Sequence, residues 1–199
     1  MATILSWPQS IVPASLSWQL VSNSKTFTST FTGSVQTVRF PGSRWRCSMS
    51  FNNLTDEQAR VLEAFVAELD GESGRVKISD WARSGLTQRG KPKVSQPNQS
   101  GKLLGSKDWL PNSIVLRIGD YITVNDELKR VTANVISDAQ GNATIPIAPI
   151  LRYAPAVNDL IENEAPYGIF KLTSNDQGNF QRKPGILTST SLSFEEALT

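Results

Sequence analysis

The sequence contains no histidine and a single cysteine, Cys47. Without histidine the residue most often used as a base near neutral pH is missing, and so is the commonest metal ligand. A Ser-His-Asp or Cys-His centre cannot be assembled, and zinc lacks the ligand clusters it needs. No disulfide framework is possible, and Cys47 sits in an apolar alternation that makes it a small core hydrophobe. Long apolar runs are missing too, since nothing approaches the roughly 20 residues that cross a bilayer. No basic leader with a cleavage site opens the chain, so a soluble protein made in a cytoplasm, with no membrane partner, is expected. "GKLLGSKDW" holds Gly and Lys but has neither phosphate-loop spacing nor a preceding apolar strand. For two-carboxylate hydrolysis the candidates are Asp120, Asp126 and Glu127, yet they fall in expected hairpin turns, where Asp is favoured for backbone reasons. Glu162, Glu164, Glu195 and Glu196 read as solvated strand ends. The expectation is a non-enzyme with no catalytic residue, cofactor or metal.

What is present is alternation. In "RWRCSMSF", Trp45, Cys47, Met49 and Phe51 fall on one side of an extended chain and Arg44, Arg46, Ser48 and Ser50 on the other. A period of two predicts a strand with one buried face and one face open to water or a partner. Leu16, Trp18 and Leu20 alternate in the same way, as do Val38 and Phe40, and "TFTSTFTGS" has the composition of half-exposed strands. Turns at Gly33-Ser34 and Pro41-Gly42 leave gaps too short for crossover helices, which predicts an antiparallel meander. "LTDEQARVLEAFVAELDG" then predicts one helix, with Thr55 as N-cap, Gln58 as its capping-box partner and Gly71 as the stop. Val61, Leu62, Phe65, Val66 and Leu69 form the stripe expected to pack on the sheet.

From Trp81 to Pro111 the hydrophobic period disappears, and a long loop is expected. Alternation resumes in Ile114, Leu116 and Ile118, then Ile122 and Val124, then Val131, Ala133 and Val135, with turns at Gly119-Asp120, Asn125-Asp126 and Gly141-Asn142. These short strands suggest a small barrel, an OB-type Greek-key barrel being one option. Ile186, Thr188, Thr190, Leu192 and Phe194 share a face of a final strand that can pair back with the N-terminal sheet. The expected fold class is therefore mainly β with one packed helix: a β-sandwich-like sheet-plus-helix domain from 1–80 and 165–199, a basic loop or linker over 81–112, and an inserted small β-barrel over 113–164.

Charge is unevenly spread. Of 20 Lys and Arg, eight lie between Arg75 and Lys107 beside a single acid, Asp80, which leaves the remainder with 12 basic against 17 acidic residues. Such a block suits nucleic acid or an acidic neighbour. Only Trp81 and Trp109 are near it as stacking groups and no RNA-binding or helix-turn-helix signature appears, so a solvated or subunit-bridging loop is the stronger reading.

The order "SWQLVSNSKTFTSTFTGSVQTVRFPGSRWRCSMSFNNLTDEQARVLEAFVAELDGESGRVKI", followed by "GDYITVNDELKRVTANVISDAQGNATIPIAPILRYAP" and "GIFKLTSNDQGNFQRKPGILTSTSLSFEEAL", resembles the distal tail proteins of long-tailed, non-contractile phages and related prophages. The resemblance runs from about residue 15 to the end. It implies a structural virion protein of the tail tip or baseplate, assembled in the host bacterial cytoplasm and resident in the virion tail. Such proteins form a ring, usually a hexamer, between the tail tube protein and the tip hub protein, and DNA passing through the lumen is the one nucleic acid they meet. The sheet-plus-helix domain would build the ring, with the second β domain facing outward. The subunit-interface candidates are then Arg44 and Arg46 on the sheet, and Arg89, Lys91, Lys93, Lys102 and Lys107 in the basic loop. The competing reading is a non-catalytic carbohydrate- or nucleic-acid-binding barrel, resting on the barrel and the five tryptophans.

Overall fold

The computed structural model describes residues 3–83, 85–183 and 187–198. In chain order the elements begin with β1 (Ile4–Ser6), β2 (Ser15–Val21), β3 (Ser24–Thr28), β4 (Val35–Arg39) and β5 (Arg44–Leu54). The helix α1 (Asp56–Leu69) and β6 (Arg75–Ile78) follow. Next come β7 (Gly90–Val94), β8 (Gly101–Trp109), β9 (Ile114–Leu116), β10 (Tyr121–Val124), β11 (Glu127–Val131), β12 (Val135–Ile136) and β13 (Ala143–Leu151). The chain finishes with β14 (Gly168–Leu172), β15 (Gln181–Lys183) and β16 (Leu187–Glu196). Among the described residues the fold is mainly β with a single α-helix.

The first sheet runs β1-β6-β14-β16-β5-β2, with β15 also on β16. The strict alternation of β5 does what its sequence dictates: Trp45, Cys47, Met49 and Phe51 are each at most 2% exposed. Burial pushes the Cys47 thiol well above its ordinary value, so it stays protonated and inert. On β16, which pairs with β5, Thr188, Thr190, Leu192 and Phe194 are buried together, while Ile186 lies outside the described residues. Across this face lies α1. Thr55 Oγ1 accepts from the Gln58 amide (3.3 Å) and Gln58 Oε1 accepts from the Thr55 amide (3.1 Å), closing the expected capping box. The stripe is rotated slightly from the expected one: Ala59, Leu62, Phe65 and Leu69 are buried, whereas Val61 faces solvent. Termination begins one residue early, at Asp70, which takes the left-handed conformation (φ 49°).

Several local expectations fail. The N-terminal strands do not form a meander, because β2 pairs with β5 and the intervening β3 and β4 pair only with each other, leaving the sheet as a separate ribbon. One pair, β1 with β6, is parallel, and the long connection between them includes α1. The expected loop over 81–112 contains β7 and β8, and these strands belong to the second sheet, β10-β11-β13-β8-β7. Alternation is obscured there because the inward row is Pro92, Val94, Leu104 and Ser106, with a break at the positive-φ residue Asp108. In space β8, β10, β11 and β13 follow a Greek-key order, with β8 beside β13. The sheet curls, and residues 159–163 bridge its two edges. Ile161 N–H donates to the Pro92 carbonyl (2.9 Å), while Thr123 and Glu162 exchange amide–carbonyl bonds (2.9 Å each). Val94, Leu104, Ile122, Val131, Ile145 and Ile161 fill the interior. The alternation at 114–118 is also offset, since Val115 and Leu116 are buried while Ile114 and Ile118 are exposed.

Barrel and first sheet are joined by packing and buried polar bonds. Tyr121 and Leu128 of the barrel belong to the first core, and the Trp45 indole N–H donates to the Leu128 carbonyl (2.9 Å). Arg130 lies over the rings of Tyr121 (4.7 Å) and Trp45 (5.1 Å). Glu196 accepts from the amides of Trp45 (3.1 Å) and Leu128 (3.3 Å) and pairs with Arg152. Beside it, Lys129 pairs with Glu127, and Glu127 accepts from the amides of Arg152 (3.2 Å) and Tyr153 (3.3 Å). Glu195 and Glu196 are therefore not solvated strand ends but are buried to 8% and 1% exposure.

Candidate functional site

The carboxylates considered for hydrolysis lie in turns or in a buried ion pair. Asp120 Oδ2 accepts from the Arg117 amide (2.7 Å), Asp126 sits in a left-handed turn (φ 59°), and Glu127 is buried against Lys129. No group of three or more metal-ligating side chains occurs among the described residues, and no helix there is long and apolar enough to cross a membrane.

The interface candidates separate into two places. On the first sheet, Arg44 (3.4 Å) and Arg46 (3.2 Å) both turn on Glu195 of the same chain, which also receives Lys171 (3.4 Å). These groups form a cross-strand row, Gln19, Arg46, Glu195 and Lys171, on the face opposite the helix. Beside it run two rows of serine: Ser17, Ser48 and Ser193, then Ser15, Ser50 and Ser191. The hydroxyls of Ser15 and Ser50 lie 2.6 Å apart and those of Ser48 and Ser193 3.1 Å apart. The greasy side of "RWRCSMSF" is thus core, and its cationic side belongs to an open, polar sheet face with a shallow concavity of about 360 Å³ at Ser17, Gln19, Arg46 and Ser48.

The other five candidates lie on or beside the β7–β8 hairpin. Arg89 donates to the Ile114 carbonyl (2.9 Å), and Lys93 pairs with Asp108 (3.4 Å) while facing Lys107 across the ladder. Among the described residues Lys91, Lys102 and Lys107 form no ion pair. Lys102 instead joins Arg39 in a cleft of about 400 Å³, between the barrel and the base of the β3–β4 ribbon.

That ribbon is the most exposed strand pair among the described residues; its half-exposed strands and the Gly33-Ser34 turn are legible in the sequence, but not its separation from the main sheet. Nine of its ten strand residues are exposed. The register places Lys25, Phe27, Gln36 and Val38 on one face and Ser24, Thr37 and Arg39 on the other, which looks into the cleft. Phe27 is 51% exposed, Val35 63%, and Phe31 in the connecting turn 98%. An isolated two-stranded ribbon is marginal in water, and a fully exposed Phe at its tip gains nothing in a lone chain. The signal available beforehand was Phe27 and Phe31 set among small polar residues, a pattern shared with half-buried strands.

A second concavity of about 320 Å³ lies where residues 159–163 meet β10, lined among others by Thr123, Asn125, Asp126, Asp159, Leu160 and Glu162. Burial, then a hydrogen bond to Asp126 (2.8 Å), push the Tyr167 phenol on its wall up to about 12, so it remains a donor. All five tryptophans, by contrast, are committed to packing: Trp7, Trp18, Trp45 and Trp81 in the first core and Trp109 in the barrel. No protein-family model matches the chain, and no curated protein matches it.

Proposed function

We propose that the chain is a distal tail protein, a structural subunit of the tail tip of a long-tailed phage or prophage. Copies of it close into a homo-oligomeric ring between the tail tube and the tip hub, six being the usual number in the family it resembles. The observation that carries this reading is the β3–β4 arm, an unpartnered ribbon with Phe27, Phe31 and Val35 in water. An arm on one surface that meets a different surface of the next copy makes a head-to-tail contact, and such contacts generate rings when the rotation closes. The open serine-rich sheet face suits a polar neighbour or the lumen. The ordered resemblance over nearly the whole chain supplies the location, and the absence of histidine fits a non-catalytic role. A glycan- or nucleic-acid-binding module is less well supported, because the tryptophans that would stack on a ligand are in the cores.

The test is a protein inventory of denatured particles from the source virus or induced prophage, with immunogold microscopy of intact ones. The chain is expected in the inventory, with label at the far end of the tail. Absence from the inventory overturns the proposal.

A further inference from the structure

Building on the ring reading, we infer that the arm of one copy seats in the acid-rimmed concavity on the barrel of the next copy. The arm's outward face carries Phe27 beside Lys25, with Phe31 at the tip, and no carboxylate lies between residues 22 and 44. The concavity offers the complement. Leu160, 58% exposed, lines it and Val157, three residues earlier, is 39% exposed, while Asp126, Asp159 and Glu162 line it without a Lys or Arg. Two cations lie nearby and both are engaged: Lys77 sits over the Tyr167 ring (4.3 Å), and Lys93, whose backbone bridges to Leu160, pairs with Asp108 (3.4 Å). Apolar side chains in the centre with opposite charge around them is the arrangement that gives both affinity and register.

Another barrel groove exposes apolar side chains, Leu103 (59%) and Ile136 (67%), in a space of about 750 Å³. Its charges, Lys107 and Asp138, are of opposite sign, so it offers a cationic arm no net attraction. The arm's other face is turned toward its own barrel at the Lys102 cleft, which leaves the Lys25–Phe27 face and the tip for a second chain. Because arm and concavity are different surfaces of one chain, the contact is head-to-tail, as a ring requires.

The test uses cross-linking between full-length chains, each with one added surface thiol. Cys47 is 1% exposed and stays silent in the folded chain. F31C is mixed with L160C, with L103C in the rival groove, or with A64C on the exposed side of α1 as a measure of random collision. The F31C–L160C disulfide is expected to form at least roughly tenfold faster than either other pair, because docking raises the effective concentration of the two thiols. Adding Asp159→Lys and Glu162→Lys to the L160C chain is expected to abolish that preference. Faster trapping by L103C overturns the seat while leaving an arm-mediated ring intact. Equal, collisional rates for all three pairs overturn both the seat and the arm's role in assembly.

Discussion

Replacing Lys129 with Met removes an ammonium that solvent does not reach and strands the Glu127 carboxylate beside it. Losing one partner of a buried pair costs about 3–5 kcal/mol, whereas replacing both is often close to neutral. K129M alone is therefore expected to lower the urea midpoint sharply. E127Q/K129M should recover part of the loss, since Gln keeps one acceptor oxygen for one of the Arg152 and Tyr153 amides while the other loses its partner. The neighbouring Glu196 adds a pH signature. Burial outweighs Arg152 and the Trp45 amide and raises its carboxyl above the ordinary 4.5. A carboxyl held up in the folded chain contributes stability below its unfolded value that fades as pH rises through the folded one. Wild-type stability relative to Glu196→Gln should fall as pH climbs from 4.5 and then level off. Urea titrations across that window read the difference, and a difference that instead grows with pH overturns the assignment.

At the scale of elements, the arm is separable by construction. Its base is closed by the Phe40 amide donating to the Asn23 carbonyl (2.8 Å), and its strands pair only with each other. Replacing residues 25–38 with a short turn should leave the melting temperature within a few degrees, because little buried surface is lost, yet abolish assembly into particles. Complementation of an arm-deleted virus reads the second effect, and normal tails from the deletion would remove the arm from the interface. The elements that were legible in the sequence are those with an unbroken period. β5 alternates through Trp45, Cys47, Met49 and Phe51, and α1 carries both its capping box and its stripe. Illegibility has equally local causes. β7 and β8 use Pro92 and Ser106 as inward residues, so their burial leaves no apolar alternation, and β1 at three residues is too short to show a period. Of the basic candidates, the alternation puts Arg44 and Arg46 on the polar side of β5, but Lys91, Lys93, Lys102 and Lys107 lie on β7 and β8 rather than in the expected loop. Partners are not legible either: Glu195 lies about 150 positions from Arg44 and Arg46, and only β5–β16 pairing brings them together.

For the whole molecule the question is whether barrel and sheet-plus-helix unit unfold as one body. Their junction contains Trp45, Tyr121 and Leu128 in a shared core, the Trp45–Leu128 hydrogen bond, and Glu196 bridging two backbone amides across the boundary. A buried carboxylate with its partners pulled away would be left desolvated and unpaired, so opening this seam costs more than its apolar area alone. Chain connectivity acts in the same sense, because the barrel is inserted between β6 and β14, which pair directly in the first sheet. One unfolding transition is therefore expected, with the slowest-exchanging amides of Leu62 in the helix and Leu104 in the barrel sharing the global opening free energy. Leu128→Ala, which leaves every hydrogen bond of the seam in place, should cost about 2–5 kcal/mol and lower protection at both sites equally. Loss confined to the barrel would show two independently folding bodies. Coupled loss would mean that a load applied to the arm is borne by the whole subunit, as the proposed ring contact would require.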